Sequence, residues 1–227
     1  MKRFIFLVAL SCLLSTPALA QTVDILYQGN AYTAPFYKGH TPWASQSTLT
    51  LLAVPTGASL TNSNYRWSRN GTVLGSLSGV GKNTLTIQDT VLSKPQTIKV
   101  ELVNIDGEAL TQTSVLVRPA TPNLVVYEDN PLYGVMFHQE ILGAYSLKGS
   151  EVTFTAFPFF FSATDRSDSN LNYKWQTGGG ETETRSSVTY RIPDKNSGTA
   201  AIYTSINHRQ NILQTAKNNF LVQFGNE

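Results

Sequence analysis

Cysteine is almost absent: Cys12 is the only one in 227 residues. It lies in an N-terminal leader, so the mature chain is expected to hold no cysteine. That excludes a disulfide, a thiol nucleophile, an iron–sulfur cluster and a cysteine-based zinc site. Histidine is scarce too. His40, His138 and His208 lie in three separate regions, none with an acidic or histidine neighbour at a ligand spacing, which points to loop or surface histidines. There is no Gly-x-Ser-x-Gly elbow, although a triad assembled from distant residues stays open. Nor is one sign of charge in excess. Of 17 Lys and Arg residues, Lys2 and Arg3 belong to the leader, and the 15 that remain equal the 15 Asp and Glu. Neither a nucleic-acid footprint nor a polybasic patch for anionic lipid is expected. Long hydrophobic runs are missing beyond the leader, so no integral membrane segment is expected in the mature chain.

The leader itself is clear. Lys2 and Arg3 precede an apolar run over 4–14, and Ala18-Leu19-Ala20 forms a small-x-small cleavage site before Gln21. This predicts a signal peptide over 1–20 and an exported product, extracellular, surface-associated or periplasmic. A lipidated start at Cys12 is the disfavoured rival, because it would leave the Ala18-Leu19-Ala20 site without a use.

A pattern is then written twice. Leu49-Thr50-Leu51-Leu52-Ala53-Val54-Pro55 is echoed by Val152-Thr153-Phe154-Thr155-Ala156-Phe157-Pro158, and Asn64-Tyr65-Arg66-Trp67 by Asn172-Tyr173-Lys174-Trp175. A period of about one small domain means tandem domains rather than a solenoid of short units. Short runs rich in Thr, Val, Ile, Leu and Tyr alternate with Gly, Asn, Ser and Pro, and no helical period persists, so the chain reads as all-β. Strands are expected at 23–27, 48–54, 65–69, 84–88, 97–103 and 111–118, then at 123–127, 145–147, 151–157, 171–176, 187–192, 199–206 and 215–224. Asn70-Gly71 marks a turn. Ile98, Val100 and Leu102 alternate with Thr97, Lys99 and Glu101, giving a half-buried strand. Pro119 and Pro122 mark a short linker over 119–122, dividing a first domain over 21–118 from a second over 123–227.

About seven short strands per unit suit a two-layer sandwich, with Trp67 and Trp175 as core residues of the third strand. Through Asn64-Tyr65-Arg66-Trp67 with Asn70-Gly71, and Asn172-Tyr173-Lys174-Trp175 with Gly178-Gly179-Gly180, the chain resembles bacterial immunoglobulin-like and PKD-like surface modules. The resemblance implies two tandem immunoglobulin-like β-sandwiches. It departs from antibody-type domains in lacking the disulfide, and from PKD-type modules in lacking an Asp-rich turn after the tryptophan. Asp194-Lys195-Asn196-Ser197-Gly198 before Ile202-Tyr203 is loosely similar to the tyrosine corner of immunoglobulin folds. Tyr127-Glu128-Asp129-Asn130-Pro131-Leu132-Tyr133-Gly134, with the aromatics of 157–161, resembles a group of exported proteins of small-genome bacteria that lack an assigned function. That resemblance implies association with pilus systems.

Four features are candidates for a site. Glu128 and Asp129, near the linker, and Asp165 and Asp168, in a long loop, offer oxygen ligands for calcium, against the plainer reading of turn-forming carboxylates. Phe159, Phe160 and Phe161 follow Pro158, which is expected to bend or end its strand. They form either a plug at one end of the sandwich or a docking patch. Tyr37 and Trp43, with Tyr32 and Phe36, crowd a Pro- and Gly-containing stretch that packs on the sandwich or stacks on sugars. The function expected is that of a non-enzymatic exported module displaying loops and edges to a protein partner at a cell surface or appendage. The alternative is a carbohydrate-binding module. No cofactor is expected.

Overall fold

A computed structural model describes residues 21–88, 93–178, 180, 182–192 and 197–225. The expected leader with Cys12, most of the Asp194 corner, Gly179, and the terminal Asn226 and Glu227 lie outside the described residues. In chain order come β1 (Thr22–Gln28), β2 (Thr48–Thr56), β3 (Asn64–Arg69), β4 (Thr72–Val73), β5 (Gly79–Val80), β6 (Thr84–Gln88), β7 (Gln96–Val103) and β8 (Ala109–Val117). Then follow β9 (Asn123–Asn130), β10 (Gly134–Glu140), β11 (Gly143–Leu147), β12 (Glu151–Phe159), β13 (Leu171–Thr177), β14 (Thr182–Glu183), β15 (Ser187–Arg191), β16 (Gly198–His208) and β17 (Thr215–Phe224).

Sheet β1-β2-β6 faces sheet β4-β3-β7-β8, to which β5 adds by pairing with β3. Sheet β10-β9-β12-β15 faces sheet β11-β17-β16-β13-β14. The chain is therefore all-β, two tandem immunoglobulin-like sandwiches, each with its own buried cluster. Strand order repeats: β9-β12-β15 matches β1-β2-β6, and β14-β13-β16-β17 matches β4-β3-β7-β8.

The repeated residues explain the repeated fold. Period-two alternation turns Leu49, Leu51 and Ala53 of β2 into one core and Val152, Phe154 and Ala156 of β12 into the other. Tyr65 and Trp67, like Tyr173 and Trp175, point inward from the next strand and are buried. A buried ring with a polar tip needs a partner, and both copies find the same one. Trp67 Nε1 donates to the Lys82 carbonyl at 2.8 Å and Trp175 Nε1 to that of Arg185 at 2.8 Å, each two residues before the next strand of the opposite sheet. Tyr65 and Tyr173 donate their hydroxyls to the loop carbonyls of Leu60 and Arg166, both at 2.9 Å. On the wet face of β7, Glu101 meets Arg66 at 2.5 Å and Lys99 at 2.7 Å, and these donors hold its carboxyl below the usual range.

Three features differ from the sequence expectation. β4, β5 and β14 are two-residue pairings, too short to leave a periodic signal. β10 folds back antiparallel on β9 through the Asn130-Pro131 turn and Gly134 at φ 71°. Its Val135 and Phe137 serve a layer outside the sandwich, so the alternation that identifies a core-facing strand is blurred. Finally, β12 does not end at Pro158. Pro158 stays in register with Leu124 of β9. Its ring nitrogen lies on the same side as the Ala156 N–H, which bonds Ser186, and the ladder with β15 has already stopped at Thr155–Ser187. No ladder bond is lost there.

Candidate interaction site at the sandwich junction

Strand β12 is apolar on both faces. Val152, Phe154 and Ala156 enter the core, while Phe157 and Phe159 point the other way, beside Val125 and Tyr127 of β9. A sheet with two apolar faces needs a layer on each. The second layer has two sources: Val135 and Phe137 of β10, and the tip of a strap over residues 29–47, between β1 and β2, which leaves the N-terminal unit and sets Tyr32 and Ala34 on this outer face.

The strap is a short arm closed by Gly29 N–H bonding Thr41 at 2.8 Å and Ala31 N–H bonding Pro42 at 3.1 Å. At Gly29 a Cβ would fall 2.1 Å from the Pro42 carbonyl oxygen, so only glycine permits the arm to close. At its tip, Tyr32 stacks on Phe159 with centroids 6.0 Å apart, and Phe36 meets Phe137 edge-on at 5.4 Å. Phe137 continues into an edge-to-face cluster with Tyr127 and Phe157, at 5.3 and 5.1 Å. The Arg166 guanidinium lies 4.6 Å from the Phe157 centroid, a cation over an aromatic face.

Backbone bonds lock the strap. Tyr32 N–H donates to Phe161 at 2.7 Å, and Phe160 N–H donates to Tyr32 at 2.8 Å. Phe160 sits at φ 65°, a left-handed conformation that a bulky residue adopts only when its surroundings hold it. The reversal there resolves the run of rings. Phe157 and Phe159 belong to the outer cluster, Phe160 packs against it, and Phe161 turns back into the sandwich core.

A polar clasp stands beside the aromatic one. The buried Gln214 side chain donates to the Ser45 carbonyl of the strap and accepts from Ser162 N–H at 2.8 Å and Ser162 Oγ at 3.0 Å. Gln46 Oε1 accepts from Leu213 N–H at 2.6 Å. His208 underlies this loop: its Nδ1 accepts from the Gln210 and Asn211 N–H groups, both at 3.1 Å. Burial pushes its pKa down.

The structure distributes the candidate residues unevenly. Phe159, Phe160, Tyr32 and Phe36 meet at the junction. Tyr37 is 43% exposed on the strap. Trp43 is 1% exposed, inside the N-terminal core, with Nε1 bonded to the Ser47 carbonyl at 3.1 Å. Phe161 is fully buried. Neither presents a ring to an outside ligand, and nor does Phe159, buried against Tyr32, which corrects the assignment of these three as interaction residues. Period-two order breaks at Phe160, and Trp43 marks the strap's return into its own core. Trp67 and Trp175 are core residues.

The carboxylates lie at opposite ends of the outer sheet. Glu128 accepts from Asn130 Nδ2 and Tyr145 Oη, both at 2.9 Å; burial first, and then the Glu128 carboxylate, drive the Tyr145 phenol far above its ordinary pKa. Asp129 accepts from Thr155 at 3.5 Å. Asp165 accepts from Ser167 N–H, and Asp168 accepts from the backbone and side chains of Thr164 and Asn170, which lower its pKa. Among the described residues no three of His, Cys, Asp and Glu converge as a metal site would require. Gln214 and Phe137, which complete the junction with Tyr127, carried no sequence signal, and Tyr127 was legible only as the end of an expected strand and the start of the 127–134 motif.

No family model matches the chain, and no curated protein does. Solved structures match at low identity. The three N-terminal domains of the highly immunogenic outer capsid protein Hoc of bacteriophage RB49 align at 15% identity and TM-score 0.47, over 90% of this chain and 59% of that one. The ectodomain of mouse nectin-like molecule 4 aligns at 14% identity and TM-score 0.29, over 89% and 67%. The central fibronectin-III array of RIM-binding protein gives 11% and 0.25, over 80% and 66%. The chain spans less than two thirds of the phage structure. Among the described residues no helix is long and apolar enough to cross a membrane.

Proposed function

We propose that this chain is a non-enzymatic, exported interaction module whose two sandwiches act as one stiff body. It holds a protein partner's docking surface away from a cell surface or appendage such as a pilus. The strap across the outer face of β12 carries the reading. A junction that packs aromatic rings of both units together and closes with paired backbone bonds resists bending in a way that a four-residue linker does not. The polar groups that might suggest chemistry have structural tasks instead: His208 caps a loop, Glu128 anchors Tyr145, and Asp168 organises its own turn. Partner contact falls to the exposed rings Phe36 and Tyr37 on the strap and to free sheet edges. Calcium held by Glu128 and Asp129, or by Asp165 and Asp168, would add stiffness: excess calcium should raise the melting temperature, and an unchanged transition would refute it.

Small-angle scattering tests the stiffness: wild type should fit one conformation, and Phe159→Ser should need an ensemble of interdomain angles. Wild type already fitting only an ensemble would refute the reading. For the contact face, Tyr37→Ser, which leaves the Phe36–Phe137 contact in place, should lose a surface partner that wild type captures from intact source cells. Retained capture would move the contact elsewhere. Glycan binding by wild type that is lost in the same variant would favour sugar recognition.

A further inference from the structure

We infer that β8 pairs with β8 of a second copy of this chain, antiparallel about a two-fold axis through Thr113. β8 ends its sheet and, at nine residues, is the longest edge strand among the described residues. It contains no charge and no proline, and its single irregularity, a register shift beside Leu110, touches only its first residues. Native sheets rarely leave such an edge open. The other sandwich shows what closes it. β17, the counterpart of β8, is covered by β11 running parallel along Phe220–Phe224. In the N-terminal unit the matching stretch of chain is the strap. Drawn off onto the C-terminal sandwich, it returns to this edge for a single bridge, Ala44 opposite Ala120.

The pattern along β8 specifies the occupant. Alternation puts Leu110, Gln112, Ser114 and Leu116 on the exposed face, flanked by the exposed Glu108 and Arg118. Only registers that pair equal parity keep that face continuous across both copies. Counting outward from Thr113 in both directions, Gln112 meets Ser114 and Leu110 meets Leu116, and past the register shift the flanking Glu108 comes beside the flanking Arg118, each pair occurring twice across the two-fold. A shift to the next allowed register sets Leu110 against Arg118 or Glu108 against Leu116. Leu110 and Leu116 are 57% and 44% exposed in the single chain. Among the described residues neither Glu108 nor Arg118 has an ion-pair partner, and the Glu108 carboxylate accepts a 3.3 Å bond from Asn104 Nδ2.

Sedimentation of the full chain over a range of concentrations should show a monomer–dimer equilibrium. Glu108→Arg and Arg118→Glu should each weaken it by about tenfold, because like charges then face one another, and the double exchange should restore it. Register is read separately. On a Cys12→Ser background, Gln112→Cys mixed with Ser114→Cys should form a disulfide-linked dimer under mild oxidation, and neither should do so alone. A monomeric mass at every concentration with no mixed disulfide would overturn the proposal; linkage of either variant alone would overturn the register. Self-pairing does not depend on an outside partner, so loss of surface capture leaves it standing and the reverse also holds.

Discussion

The two sandwiches bury the same Tyr-x-Trp pair with the same hydrogen bonds, yet they treat the chain between their first strand and their next long core strand in opposite ways. In the C-terminal unit that stretch stays home: β10 returns on β9, and β11 covers β17. In the N-terminal unit it leaves as the strap and becomes the second layer of its neighbour. The same positions show the result. Phe157 and Phe159 on β12 are buried beneath β10 and the strap, while their counterparts on β2, Val54 and Thr56, are part-buried and exposed. A repeated core leaves edges and connections free to diverge, because the core constrains only one face of each strand.

Breaking the shared part has the largest effect. Trp67→Ala and Trp175→Ala should each cost about 3–5 kcal/mol in denaturant titration, since each leaves a large cavity and an orphaned carbonyl. With the strap in place, both should unfold the pair in one transition. Breaking the junction comes next. Phe157→Ala should cost about 3 kcal/mol and split that transition into two, whereas Val54→Ala, with no layer above it, should stay within about 1 kcal/mol. An equal effect from both would end the distinction between the two outer faces.

The polar clasp is weaker. Gln214→Ala leaves the Ser45 carbonyl and the Ser162 N–H without their partner and should cost about 1–3 kcal/mol, read as a lower melting temperature. The corresponding loop of the N-terminal unit closes on itself through Asn104 Oδ1, which accepts from Asp106 and Glu108 N–H, so Asn104→Ala should leave interdomain scattering unchanged.

The smallest effect is on pH. The folded pKa of His208 lies below its ordinary 6.5, so the unfolded chain takes up the proton first. Stability should be flat above pH 6.5, then fall as pH drops until the folded value is reached, by at most ~1.4 kcal/mol per pH unit. His208→Gln should remove that slope in melting temperatures between pH 7 and 5. Glu101 and Asp168, whose folded pKa values are lowered, act in a separate, more acidic window: their contribution is lost as pH falls below the ordinary carboxylate range.

Much of the fold was legible in the chain. Thr50-Leu51 and Thr153-Phe154 alternate with the sheet's own period, and the two tryptophans stand where a sandwich needs bulk. The site was legible only in fragments. Aromatics at 32–43 and at 157–161 were both conspicuous, but nothing in their spacing shows that they meet, because the contact joins residues more than one hundred positions apart. The all-β class, the repeated cores and their period follow from local alternation and turn chemistry, and are written in the chain. That Trp43 and Phe161 point inward, that Pro158 stays in its strand, and that one unit's strap helps to cover the other's sheet are set by packing. Each depends on which surface is left uncovered once both sandwiches have formed, and that is a property of the packed layers rather than of any segment.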